Sequence, residues 1–273
     1  MTSVIIVQHN RSDLTREALR SLAGHLVSTH EVFVVDNLST DRHEPITKDY
    51  PFVTLIRNET NCGFAKANNQ AAGRATGDIL LFLNNDTILR SDVVTPVERM
   101  FADHPEVGII GPKLLNADGS FQISSGPLPT FWSEIGDKIL YGSVRKRIHL
   151  ALTYAERRHS TTQRVGWVTG AALFIRRTLF MNLGGFDERM FMYFEDKDLC
   201  LRAWQEGFSV LYYPEVSLIH LKGGSGNIAD LRRLKTAYRE SQVLYYRTHR
   251  PRYEQLLLGV YLGLTGKNLH ETA

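Results

Sequence analysis

The sequence predicts an α/β fold, a doubly wound sheet followed by a helical C-terminal segment, and three observations predict it. Short β-rich runs alternate with helical patterns from the N-terminus onward, the signature of parallel strands joined by crossover helices. The run Ile79-Leu80-Leu81-Phe82-Leu83 is apolar at every position, as a central parallel strand buried on both faces must be. The 273 residues, 43% apolar and 22% charged, match a soluble globular chain with one large domain or two small ones.

The elements follow in order. Val4 to Val7 is the first strand. After the loop His9 to Asp13, Leu14, Ala18, Leu22 and Leu26 recur every four residues and mark a helix, with Ser12 or Asp13 able to cap it. Val32 to Val35 is the second strand, ending at Asp36-Asn37, and Phe52 to Ile56 the third. The polar loop Asn58 to Gly63 leads into a helix, Phe64 to Ala75, punctuated by Gly77. The strand Ile79 to Leu83 stops at Asn84-Asn85-Asp86-Thr87. A helix capped by Ser91 runs to Phe101, and Val107 to Ile110 is the next strand. Beyond Pro112 the alternation fades, and Phe131 to Thr162 reads as a basic, poorly periodic excursion. The β-like run Val165 to Ile175, the helix-like Asp196 to Gln205 and the β-like Phe208 to Tyr213 and Val216 to Ile219 return to the sheet. A turn, Gly223-Gly224-Ser225-Gly226, opens the C-terminal segment. The expected organisation is residues 1–226 as the main domain, divided at 111/112, and 227–273 as a helical extension.

Charge and cysteine content exclude several classes. Lys plus Arg number 32 against 29 Asp plus Glu, a net +3 that disfavours a nucleic-acid partner. Cys62 and Cys200 form no CxxC pair, so neither a zinc knuckle nor a secreted disulfide framework is expected. The N-terminus has no basic n-region, and the longest nearly apolar run, Leu256 to Leu264, is far shorter than a membrane helix. The expected location is the cytoplasm. From Lys222 to Arg252 there are eight basic and two acidic residues, a local +6. This segment reads either as a solvated helix face or as a surface for anionic lipid headgroups, which would make the protein peripheral at the inner face of the membrane.

In an open α/β sheet, ligands bind beyond the carboxyl ends of the strands. That selects Gln8 to Asn10, Asp36-Asn37, Asn58 to Gly63 and Asn84 to Asp86. No GxGxxG or GxxxxGK[ST] follows a predicted strand, so a diphosphate must be held another way. Asn84 and Asp86, two apart in an extended segment, point to one side and can hold a hard divalent cation, Mn or Mg; the same triplet also fits a simple turn. The acids Glu195, Asp196 and Asp198 open a predicted helix after an apolar stretch. They suit either dipole capping or general-base chemistry, and Asp198 and Arg202 fit an ordinary i,i+4 surface pair. His220 ends a β-like run and is acceptable as a metal ligand.

Together these residues resemble glycosyltransferase family 2. The motifs that carry the resemblance are Asn10-Arg11 after the first strand, Val34 to Asp41, Asn58 to Asn69, Leu83-Asn84-Asn85-Asp86-Thr87, Gly170-Ala171-Ala172, Gly184 to Glu188, Phe194 to Leu199, and His220, in that order over residues 3 to 226. The subgroup it is most similar to is the rhamnosyltransferase-like branch, in which Asn-x-Asp often replaces Asp-x-Asp. The resemblance implies a GT-A type nucleotide-binding sheet, Rossmann-like and mixed, and an inverting sugar transfer from a nucleoside diphosphate sugar. dTDP-rhamnose is the favoured donor and a UDP-sugar the second. It assigns Asp36 to the pyrimidine, Val7, Asn10, Asn61, Gly63, Asn84 and Asn85 to the nucleotide-sugar side, and Asp86 and His220 to the metal. Asp196 is the implied general base, with Glu195 beside it. Asn84 in place of a first Asp leaves one charge fewer at the cation. The implied acceptor is a saccharide or lipid-linked saccharide in surface polysaccharide assembly. Alternatives are a sugar-nucleotide binding protein that has lost turnover, and a sugar-phosphate nucleotidyltransferase, whose Gly-rich loop after the first strand is missing here.

Overall fold

The computed structural model describes residues 1–25, 30–41, 46–222 and 228–265. In chain order the elements are β1 (Thr2–Gln8), α1 (Ser12–His25), β2 (Glu31–Asn37), α2 (Ile46–Asp49), β3 (Val53–Asn58), α3 (Phe64–Ala72), β4 (Ile79–Asn84), β5 (Thr87–Leu89), α4 (Val94–Asp103) and β6 (Val107–Leu115). There follow β7 (Phe121–Gln122), β8 (Ser125–Gly126), α5 (Phe131–Arg145), α6 (His149–Arg158), β9 (Gln163–Arg164), β10 (Trp167–Val168), β11 (Ala172–Arg176) and α7 (Arg177–Asn182). The chain continues through α8 (Glu195–Gln205), β12 (Ser209–His220), α9 (Ile228–His249) and α10 (Arg252–Leu264).

The main sheet runs β3-β2-β1-β4-β11-β6-β12-β5. β1 to β4 are mutually parallel, as the alternation predicts, whereas β11 enters antiparallel between β4 and β6 and β5 lies antiparallel on β12. The sheet is therefore mixed. Alternate strand residues feed two cores, because successive side chains point to opposite faces. Val4, Ile6, Leu81 and Leu83 pack with α1 and α4 on one side. Ile5, Leu80 and Phe82 pack with Ala67 and Ala71 of α3, Phe180 of α7 and Leu199 of α8 on the other.

Several sequence expectations need correction. The excursion 131–162 is two helices, α5 and α6; apolar residues on their exposed sides, among them Trp132, Ile139 and Leu150, blur the periodicity. The run 165–175 is divided, with β10 pairing β8 in a separate two-stranded sheet while β11 joins the main one. Phe208 to Tyr213 and Val216 to Ile219 form one strand, β12, with a register shift around Pro214. Ser91 does not cap α4: its N-cap position is Val93, and the preceding Asp92 carboxylate accepts from the Val94 and Thr95 N–H groups. Leu26 and the turn 223–226 lie outside the described residues.

The C-terminal helices share a core with the turn before α8: Met190 and Phe194 pack with Tyr245 and Tyr246 of α9 and Leu258 and Leu262 of α10. The two ends of the apolar stretch 190–194, Met190 and Phe194, are thus covered by the helical extension, while Tyr193 stays exposed. Among the described residues no helix is long and apolar enough to cross a membrane.

Candidate active site

The parallel strands β1 to β4 bring their carboxyl ends to one edge. Val7 stands opposite Asn84 on one side and Val35 on the other, and Gln8 stands opposite Asp36. Val7, Asp36 and Asn84 therefore line adjacent strand ends, a single strand spacing of about 4.8 Å apart at each step.

Loops after those strands are stitched to one another. Asn10, in a left-handed conformation (φ 50°), donates its N–H to Ser39 Oγ at 3.0 Å, and its Oδ1 accepts from the Thr40 N–H at 2.6 Å. Asp36 accepts from the Ser39 N–H at 2.9 Å. Asn61 Oδ1 accepts from Asn37 Nδ2 at 2.9 Å and from the Gly63 N–H at 3.1 Å, so that oxygen serves the loop. Gly63 (φ 86°) is where the backbone of the turn before α8 approaches: a Cβ there would lie 2.5 Å from the Phe191 carbonyl oxygen. Asn85 points back towards α1, its Nδ2 lying 3.3 Å from Thr15 Oγ1. Asn10, Asn61, Gly63 and Asn85 thus each hold the edge together.

Asp86 and His220 meet although 134 positions separate them in sequence. The cause is β5, which pairs with the end of β12 so that Thr87 faces His220 and the Leu221 N–H donates to the Asp86 carbonyl at 2.9 Å. His220 Nε2 then lies 3.2 Å from Asp86 Oδ1 and 3.3 Å from Asn84 Nδ2. Gln122, which the sequence reading missed, accepts from His220 Nδ1 at 2.8 Å; its amide is oriented by donation from Nε2 to Asn116 Oδ1. This fixes Nε2 as the nitrogen facing the carboxylate. A carboxylate and an imidazole nitrogen converging beside a strand-end amide form an O/N donor set that suits Mn or Mg, with Gln122 in the orienting position usual for a metal-ligating histidine. Among the described residues no three or more His, Cys, Asp or Glu are grouped so as to hold a metal ion, so remaining coordination positions would fall to diphosphate oxygens or water.

The acids at the start of α8 are aimed by a strained turn. Tyr193 (φ 70°) and Phe194 (φ 67°) are both left-handed. Asp196 Oδ2 accepts from the Gly170 N–H at 2.9 Å and Oδ1 from the Lys197 N–H at 2.8 Å. The residue after Gly170 accepts the Asn84 N–H through its carbonyl, at 2.9 Å. Two backbone links therefore connect Asp196 to the end of β4. Burial pushes the Asp196 carboxyl up from its ordinary value, opposed by Lys197. Glu195 is pushed well above its ordinary value by burial and by the neighbouring Asp196, and its Oε2 is buried with no hydrogen-bond partner among the described residues.

Asp198 differs from the expected surface pair. It is buried, binds Arg202 at 2.6 and 2.8 Å, and lies 2.6 Å from His249 Nε2, tying α8 to α9. No sequence spacing signals a partner so far along the chain.

A mixed sheet with an acid and a histidine at its carboxyl edge, and an acidic pair on a following helix, has the architecture of a GT-A glycosyltransferase. Residues 3–184 match the model of glycosyl transferase family 2, and the chain belongs to that family. Similar proteins include the N-acetylglucosaminyl-diphospho-decaprenol L-rhamnosyltransferase of Mycobacterium tuberculosis, 28% identical over 81% of this chain and 76% of that protein. The rhamnosyltransferase WbbL of Escherichia coli is 26% identical over 81% of this chain and 83% of its own length. The O-antigen biosynthesis protein RfbC of Myxococcus xanthus is 32% identical over 82% of this chain, which spans only 17% of that protein. These relatives place the chain in the rhamnosyltransferase-like branch. Among solved structures, GalNAc-T7 with UDP, GalNAc and Mn2+ superposes with a TM-score of 0.62 at 19% identity, covering 90% of this chain and 49% of the other. A Pyrobaculum calidifontis mannosyltransferase with GDP-Man and Mn2+ gives a TM-score of 0.56 at 17% identity, covering 99% and 84%. Likenesses at this identity define the fold.

Proposed function

We propose that the chain transfers rhamnose from dTDP-rhamnose, with UDP-sugars as weaker donors, to a lipid-linked saccharide during surface polysaccharide assembly. The observation that carries this reading is the pair of backbone links running from Asn84 through Ala171 and Gly170 to Asp196. They set a carboxylate beside the strand end that bears Asp86 and faces His220. Residues 1–111 would hold the nucleotide and 112–226 the acceptor.

In this scheme Asp196 takes the proton of the acceptor hydroxyl as its oxygen bonds to the anomeric carbon and the bond to the diphosphate oxygen breaks, inverting the centre in one displacement. Elevation of the Asp196 carboxyl by burial suits a base that must hold that proton. A divalent cation held by Asp86 and His220 would neutralise charge on the departing diphosphate. Asp36 accepts the pyrimidine N3–H common to thymine and uracil, so it does not choose between the two. Two of the enzymes to which the chain is similar in sequence are named for rhamnosyl transfer, which supports the sugar, and the L-rhamnosyltransferase is named for a diphospho-decaprenol acceptor, which supports the lipid.

A thermal-shift panel of nucleotide sugars with and without Mn tests the donor. The largest stabilisation is expected from dTDP-rhamnose with Mn. A clear preference for a GDP-sugar would overturn the assignment.

A further inference from the structure

α10 is apolar on two opposite sides. Glu254, Leu258 and Leu262 face inward, the two leucines against Phe194 and Met190. On the other side Tyr253, Leu256, Val260 and Leu264 follow at intervals of three, four and four, which places them in one stripe of a 3.6-residue helix. They are 62%, 69%, 53% and 84% exposed. Trp132, 69% exposed at the start of α5, adjoins this helix: its ring meets Phe131 at 5.2 Å, and Phe131 meets Tyr261 at 6.5 Å. Exposed Arg247 and Arg252 flank the turn into α10, within the stretch 222–252 that carries +6.

We propose that this face of α10 seats the protein on an anionic lipid bilayer. A lengthwise apolar stripe, aromatic residues at its margin and arginines at its end are the features of a helix lying in a headgroup region. The arginines are complementary to anionic headgroups, whereas a second copy of this positively charged segment would oppose them. The stripe also lies one helix thickness, about 10 Å, from the turn that leads to Glu195 and Asp196. Seating on a bilayer would therefore hold the acidic pair near a lipid-anchored acceptor. That last step rests on the proposed transfer reaction, whereas the surface itself does not.

Flotation with vesicles of phosphatidylcholine, with and without phosphatidylglycerol, tests the surface. The full chain is expected to float with the anionic vesicles, to be released by roughly 0.5 M salt, and to stay unbound with phosphatidylcholine alone. The triple variant Leu256→Ser/Val260→Ser/Leu264→Ser should lose about tenfold or more in partitioning. Its melting temperature, and the shift induced by dTDP-rhamnose with Mn, should be retained. A blue shift of Trp132 emission on anionic vesicles, absent in Trp132→Phe, would support the docking orientation. Equal partitioning of the triple variant, failure of the full chain to float, or a native dimer that the triple variant converts to monomer would each overturn the proposal. Flotation without any donor-induced shift would leave this surface standing and count against the donor assignment alone.

Discussion

Replacing Asp196 with Asn separates the proton-accepting role proposed for this residue from its structural one. The carboxylate accepts two backbone hydrogen bonds, from Gly170 and Lys197, and an Asn side chain can accept only one while turning its NH2 towards the other donor. A lost buried bond costs about 1–3 kcal/mol. Burial already disfavours the ionised Asp196, so a neutral Asn recovers part of that cost. The net stability change should be small, a shift of a few degrees in Tm for a chain of this size. Removing the base, by contrast, should slow transfer by ~10²- to 10⁴-fold, roughly 3–5 kcal/mol of barrier. Kinetics should therefore fall much further than stability. Single-turnover rates at saturating donor, with donor affinity titrated alongside, should show that rate loss with affinity changed by no more than about threefold. The wild-type rate should fall on the acid side at an apparent pKa above the usual carboxylate value of about 4, because Asp196 must be ionised, and that limb should vanish in Asp196→Asn. Glu195→Gln should be milder in rate. In the folded state Glu195 holds its proton more tightly than in the unfolded chain. The stability it contributes is full below the ordinary value and is lost as pH rises through the elevated one. Gln should remove that loss and flatten the stability–pH curve. Near-normal transfer by Asp196→Asn with a dead Glu195→Gln would reverse the two roles, and two active variants would place the base elsewhere.

Gly63→Ala forces a Cβ into a left-handed position 2.5 Å from the Phe191 carbonyl oxygen. It should cost about 2–4 kcal/mol in denaturant melts, and an unchanged midpoint would refute the packing role. Asp86→Ala should weaken donor binding in Mn but hardly at all in chelator; equal losses in both conditions would argue against a metal role. Gln122→Ala should lower Mn affinity by about 10- to 100-fold, measured by metal titration, while leaving metal-free donor binding intact. Tyr245 is buried with no hydrogen-bond partner for its hydroxyl among the described residues, so Tyr245→Phe should be close to neutral in thermal melts. Tyr245→Ala should cost about 3–5 kcal/mol.

The first half of the fold was legible because local patterns carry it. β1, β2 and β4 each contain an apolar run, and Leu14, Ala18 and Leu22 give α1 its stripe. β5 was not legible: three residues, Thr87 to Leu89, become a strand only by pairing with Leu218 to His220, and nothing local signals so distant a partner. That pairing is also what joins Asp86 to His220, so the motifs singled out both residues without showing why they meet. Asn61 and Asn85 were legible as polar residues at strand ends but not in direction, since an amide suits an inward loop bond as well as a ligand. Asp198 read as half of a surface pair because its spacing to Arg202 is local, whereas its burial comes from α9.

Consecutive left-handed conformations at Tyr193 and Phe194 cost about 1–2 kcal/mol each, and they point the first turn of α8 at Gly170. What holds them is distant in sequence. Phe194 packs against Tyr238 and Tyr245 at ring separations of 5.4 and 5.5 Å, with Lys197 Nζ 4.5 Å from its ring centre. Ser241 Oγ donates to the Met192 carbonyl at 3.0 Å, and the Phe64 N–H donates to Phe191 at 2.7 Å. Burying one phenylalanine contributes about 2–3 kcal/mol, and the added hydrogen bonds bring the total to the scale of the strain. The matched family region ends at residue 184, before Glu195 and Asp196, and the turn that aims them is set largely by α9. A chain ending near residue 226 would keep both carboxylates and lose Tyr238, Ser241 and Tyr245. It follows that the helical extension belongs to the same packed unit as the acidic pair, because the turn that directs Asp196, the proposed base, is held by residues that the motif-bearing part of the chain does not contain.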